Sequence, residues 1–228
     1  MRPPQSLTPI LLALAAGLLL LWFATPRLIS GLYQAAHDQT LRDLARPGNA
    51  VSALDAARAG ESRSEALQWL ETGRAWSELG AIRLLQAETT GYTSLWGRAY
   101  LLRSIAAHRE GLALNPAQPY TWTRLARATL TQEGVTPALN PLLKMAVLTG
   151  PYEPRLLVSR LELGLIAWPG LDDAVRALMA EQIRIVARFY PERLARLAKR
   201  HYALSIVRDA LATDQELSRR FDFVYRRL

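Results

Sequence analysis

The hydrophobic pattern is least broken at the start of the chain. From Ile10 to Ala24 every residue is apolar except Gly17, and residues 7–25 carry no charge. As a helix, these nineteen residues extend about 28 Å at roughly 1.5 Å per residue, close to the ~30 Å hydrocarbon core of a bilayer. Thr8 and Pro9 read as an N-cap and a first-turn proline. Trp22 and Phe23 sit at the far end, where aromatic rings suit the headgroup layer. A cleavable signal peptide has a similar profile. Only one side-chain charge, Arg2, precedes the run, however, and no A-x-A-like site follows it. The reading adopted is an uncleaved transmembrane helix over 7–25 behind a short tail, residues 1–6.

Beyond the span, Leu28, Ile29, Leu32, Ala35 and Ala36 recur at helical spacing, which predicts a helix that restarts after Pro26 in a juxtamembrane segment, 26–47. Pro47, Gly48 and Asn49 mark a turn. In residues 48–228 the apolar positions keep a helical period and no run alternates as a strand does. The expected helices lie near 49–59, 62–87, 93–113, 118–131, 141–149, 155–167, 172–188, 191–211 and 213–225. The clearest stops are Asn115-Pro116, Gly150-Pro151 and Trp168-Pro169-Gly170. Short helices joined by short turns form antiparallel hairpins. The predicted fold is therefore all-α, one N-terminal transmembrane helix followed by an α-solenoid-like stack of antiparallel helical hairpins.

Within that stack, Leu114-Asn115-Pro116, then Trp122, Leu125 and Ala126, then Ala138 and Leu142, resemble the tetratricopeptide-repeat (TPR) pattern. Pro119 and Pro154, each opening a helix, stand 35 residues apart against the family's 34. The resemblance covers residues 85–166, with Thr129, Met145 and Gly150 departing from the pattern. It implies that Trp122 and Leu125 form a packing knob and that Ala126 and Ala138 let paired helices approach closely, although Pro141, four residues after Pro137, makes Ala138 a turn residue rather than a helix one. It also implies a face that binds a peptide or helix of a partner protein, with Arg124 and Arg127 exposed beside the Trp122–Leu125 core. The segment 172–228 would cap the stack. From residue 180 onward it is similar in general character to helices appended to repeat domains of bacterial envelope proteins, including ones associated with surface-polysaccharide assembly.

Composition removes several chemistries. With no cysteine in 228 residues, disulfide scaffolds, Cys-based zinc sites, iron–sulfur clusters and thiol catalysis are excluded. His37, His108 and His201 are scattered, and no phosphate loop, H-E-x-x-H or G-x-S-x-G is present. Asp172 and Asp173 are adjacent carboxylates whose place at a helix start makes them an N-cap and a dipole partner. Trp69 and Trp76, seven apart on the expected 62–87 helix, share one side and read as core. No catalytic residue, cofactor site or metal site is expected, and the chain reads as a scaffold.

Charge adds one more candidate surface. The net +8 comes from 28 Lys+Arg, of which only Lys144 and Lys199 are lysines, against 20 Asp+Glu. Residues 181–228 hold 11 basic and 6 acidic side chains, compared with 17 and 14 in residues 1–180. Arg193, Arg196, Lys199 and Arg200 share neighbouring faces of one expected helix, and Arg219, Arg220, Arg226 and Arg227 follow. The simplest reading is a solvated face. The functional alternative is an anion-binding accessory subunit that meets acidic polysaccharide or lipid headgroups through these arginines, with nucleic acid the weakest candidate.

Localisation follows from the span. Counting Arg27, Arg42 and Arg46 against Arg2 places the domain in the cytoplasm, whereas a short leader before a long domain favours translocation. The expectation adopted is a single-pass protein of the inner (cytoplasmic) membrane with a periplasmic domain, bound to a protein partner in an envelope assembly.

Overall fold

The computed structural model describes residues 8–44 and 51–228; the tail at 1–6 and the turn at 47–49 lie outside the described residues. The described chain is all-α, with an N-terminal apolar helix followed by a stack of hairpins. Its helices are α1 (Thr8–Ala36), α2 (Asp38–Leu44), α3 (Ala53–Trp69), α4 (Gly73–Thr90), α5 (Leu95–Leu114), α6 (Pro119–Glu133), α7 (Leu139–Leu148), α8 (Pro154–Ala167), α9 (Asp173–Phe189), α10 (Pro191–Arg200), α11 (Leu204–Leu211) and α12 (Gln215–Arg227). A 3₁₀ turn, Trp168–Gly170, links α8 to α9.

α1 is long and apolar enough to cross a membrane. At 29 residues it extends about 43 Å, more than one hydrocarbon core requires. The expected restart after Pro26 does not occur, because the helix runs unbroken through the proline. Pro26 withholds a donor from the preceding turn. Polar side chains gather at that turn: Thr25 Oγ1 donates to the Leu21 carbonyl at 2.7 Å and Arg27 Nη1 to the Phe23 carbonyl at 2.7 Å.

The end of α1 is fastened to α3. Ser30 is buried, and Ser62 Oγ donates to the Tyr33 carbonyl. Arg63 is 1% exposed; its Nη1 donates to the Gln34 carbonyl at 2.6 Å and its Nε to Glu78 Oε2 on α4 at 2.7 Å. One guanidinium therefore caps the C-terminal turn of α1 and ties it to the second helix of the stack.

From α4 onward the helices alternate between two layers. α4, α6, α8, α10 and α12 touch in succession to form one layer, and α7, α9 and α11 touch to form the other, beside which α5 pairs with α4. The core is distributed along the stack in four successive clusters, from Leu67, Ala75, Leu79 and Ala107 at one end to Leu194, Val207, Leu211 and Phe221 at the other. Contacts between neighbours with no single centre are how a solenoid buries its apolar faces.

The tightest packing lies between α4 and α5. A Cβ on Gly73 would fall 2.8 Å from the Gly111 carbonyl oxygen, and Ser104 Oγ donates to the Gly80 carbonyl at 2.8 Å. Gly73, Ser77 and Gly80 face Ser104, His108 and Gly111 across this seam. The close approach that the resemblance implies at Ala138 is absent, in line with the turn that Pro141 predicts: Ala138 is the exposed N-cap residue of α7, with Pro141 in the first turn of that helix. Leu125 and Ala126 are buried as the repeat resemblance implies, and Trp122 is half-buried, its Nε1 donating to the Pro116 carbonyl.

Three helix boundaries differ from expectation. α3 continues through Gly60, which packs against Ile82 and Arg83 of α4. The real break comes at 70–72, where Thr72 Oγ1 caps α4 by accepting from the Ala75 amide. Trp69 and Trp76 thus lie on different helices, Trp69 exposed and Trp76 packed on the first core cluster. The expected 191–211 helix is two helices, broken at 201–203. There Ala203 N bonds the Ala198 carbonyl and Tyr202 N the Lys199 carbonyl, with Tyr202 at φ 52°.

Candidate functional site

Arginine does most of the specialised work in this chain. Arg160 on α8 is 0% exposed, and its guanidinium donates to the carbonyls of Ala146, Gly150 and Pro151 and to Gln182 Oε1. Burial pushes its pKa down to about 10. Ala146 lies in the last turn of α7, so Arg160 caps α7 as Arg63 caps α1. Arg184 repeats the device, with Nη1 donating to the Ala210 carbonyl at the end of α11 at 2.7 Å. Each helix end presents several orphan carbonyls and a partial negative charge, and a five-donor planar cation answers both at once. Part of the arginine content is thus structural, a role that total charge does not reveal.

Arg124 and Arg127 lie on α6, in the layer shared with α4 and α8. Arg127 is exposed as expected. Arg124 is half-buried instead, its Cζ 6.0 Å from the Tyr120 ring centroid, and burial holds its pKa below the ordinary arginine value. Tyr120 donates from its hydroxyl to Glu153 Oε1 at 2.8 Å, which binds α6 to the start of α8. Burial, then this bond to Glu153, raises the Tyr120 pKa. Among the described residues no acceptor meets the Arg124 guanidinium. Within reach of its charge is His108, fully buried on α5, with neither ring nitrogen hydrogen-bonded. Desolvation and the Arg124 charge push the His108 pKa down to about 3, so the ring is neutral.

The C-terminal basic residues divide into two sets. Arg193, Arg196, Lys199 and Arg200 share the exposed face of α10, opposite buried Leu194, Ala195, Leu197 and Ala198. Arg196 pairs with Glu192 at 3.6 Å and Arg200 with Glu162 at 3.0 Å. Burial opposes the ionisation of Glu162, but hydrogen bonds from His201 and Arg200 outweigh it and hold that carboxyl below its usual range. Lys199 Nζ sits 5.0 Å from the Tyr225 ring centroid of α12, and Arg193 Cζ 5.5 Å from that of Tyr190. Arg219, Arg220, Arg226 and Arg227 stand exposed along α12.

Sequence reasoning missed a groove of about 620 Å³ between the end of α7, the turn at Pro151 and Tyr152, and α9. Leu148, Tyr152 and Phe189 are exposed around it, with Leu178 and Ile185 among its lining. The exposed apolar ends of two neighbouring helices were the available signal. Asp172 is the N-cap of α9, its carboxylate accepting from the Val175 amide at 2.8 Å, as the adjacent acids predict. Compared with known proteins, the chain matches no family model, no curated protein and no solved structure.

Proposed function

We propose that this chain is a single-pass membrane scaffold whose helical stack, a divergent TPR-like repeat, captures a partner protein by a carboxylate delivered to Arg124. The supporting observation is that guanidinium: half desolvated, stacked beside Tyr120, and without an acceptor among the described residues. A structural arginine in this fold finds carbonyls, as Arg63, Arg160 and Arg184 do. One left without them carries a desolvation cost that an incoming carboxylate would offset. Arg127, exposed one turn away, adds charge of the same sign at the rim. α1 anchors the stack in the inner membrane, and the domain faces the periplasm as part of an envelope assembly.

The test compares wild type with Arg124→Met. Loss of a co-purifying partner from mild detergent, with an unchanged or higher Tm, supports the proposal. A lower Tm with the partner retained would assign Arg124 to the fold. A C-terminal reporter active in one compartment only settles the orientation.

A further inference from the structure

The last helix has an exposed stripe: Glu216, Arg219, Arg220, Phe223, Arg226 and Arg227, at the i, i+3, i+4, i+7 spacing of a single helix face. Phe223 lies at its centre, 56% exposed, with arginines three and four residues away on both sides. The Arg227 Cζ rests 4.0 Å from the Phe223 ring centroid. Among the described residues no carboxylate lies within ion-pair distance of any of the four arginines. The one acid beside them that has a partner, Asp222, turns away to Arg208 on α11 at 3.0 Å. This separates α12 from α10, where Arg196 and Arg200 are already neutralised.

We infer that this face of α12 seats on the anionic surface of the bilayer that holds α1, with Phe223 entering between headgroups and Arg219, Arg220, Arg226 and Arg227 meeting lipid phosphates. Four cations crowded along about two turns repel one another and are relieved by a plane of negative charge. A soluble polyanion would use the charges alone; the exposed ring at their centre suits an interface with an apolar layer beneath the charges, as in amphipathic helices that lie on membranes. Confinement supplies the rest. The stack is fastened to α1 by Arg63, and four steps of about 10 Å carry its layer from α4 to α12. The fastened stack therefore keeps α12 within about 40 Å of α1 and of the bilayer that holds it. This inference rests on the reading of α1 as a membrane anchor, and is independent of Arg124.

The absence of cysteine makes the test clean. Full-length Phe223→Cys carries a single nitroxide and is placed in nanodiscs of phosphatidylcholine alone, or with two-fifths phosphatidylglycerol. Co-elution with the discs reports the anchor separately. In anionic discs, collision of the label with a water-soluble nickel chelate should fall several-fold while collision with oxygen rises. In neutral discs, or with 0.5 M salt, the label should stay aqueous. Adding Arg219→Gln, Arg220→Gln, Arg226→Gln and Arg227→Gln should abolish the response. Equal aqueous accessibility in both disc types overturns the inference. So does immobilisation of the label by soluble polygalacturonate with no effect of lipid composition, which would assign the face to an acidic polysaccharide.

Discussion

The imidazole of His108 packs against Gly80, so close that a Cβ at position 80 would fall 2.5 Å from Nδ1. The ring occupies the space that a side chain would fill, which is why α4 and α5 approach as they do. Gly80→Ala gains helix propensity but forces the buried ring to move, and overpacking of this kind costs about 1–3 kcal/mol. Chemical denaturation should show a lower midpoint with an unchanged slope. Gly17→Ala, where nothing lies within 4 Å, should show no such loss.

The same ring makes stability depend on pH. Folded His108 has its pKa lowered to about 3 by desolvation and then by Arg124, whereas the unfolded chain takes up that proton near 6.5. The unfolded state therefore binds more protons below pH 6.5. Stability from this site is intact above that value and declines as pH falls towards 3, by about 1.4 kcal/mol per pH unit at the steepest. Urea titrations between pH 7 and 5 should show this slope, and His108→Met should flatten it. An unchanged slope in that variant would locate the acid sensitivity elsewhere.

Arg160 holds three backbone carbonyls and a glutamine in a site closed to water. Truncation to Ala leaves those acceptors without donors and opens a cavity, a loss of about 3–5 kcal/mol. Arg160→Lys keeps the charge but not the fork and should recover only part of it. Thermal unfolding of the three proteins should rank them wild type, Lys, Ala.

Tyr202 occupies the left-handed position after α10 that helix ends usually give to glycine, and at 95% exposure its side chain packs on little. Tyr202→Gly should raise stability by about 0.5–1 kcal/mol, read as a higher denaturation midpoint. A lower midpoint would show that the ring contributes to folding.

That tyrosine also shows why some of the fold was hidden. Proline and glycine announced the ends of α5, α7 and α8, and Asp172 announced the start of α9, because each carries its local geometry in its own chemistry. The break at 201–203 has neither proline nor glycine, since Tyr202 accepts a strained backbone that nothing in its side chain advertises. Gly60 misled in the opposite sense: it is a buried residue inside a helix, where a side chain would meet Ile82 and Arg83 only at ordinary contact distance, so its backbone freedom goes unused. At the site, Arg127 was legible as an exposed charge. The half-burial of Arg124 depends on Tyr120 and the neighbouring helices, and the capping roles of Arg63 and Arg160 depend on carbonyls 29 and 14 residues away.

The unbroken passage of α1 through Pro26, together with the lock of Arg63 onto Gln34, has a mechanical meaning. With α1 in a bilayer, no swivel separates the rod from the stack, so the two turn as a mast and its vane. Any helix that packs against α1 within the membrane then fixes the compass bearing of the Arg124 face outside it. Choosing a neighbour in the lipid is in this way also choosing the direction in which the domain looks.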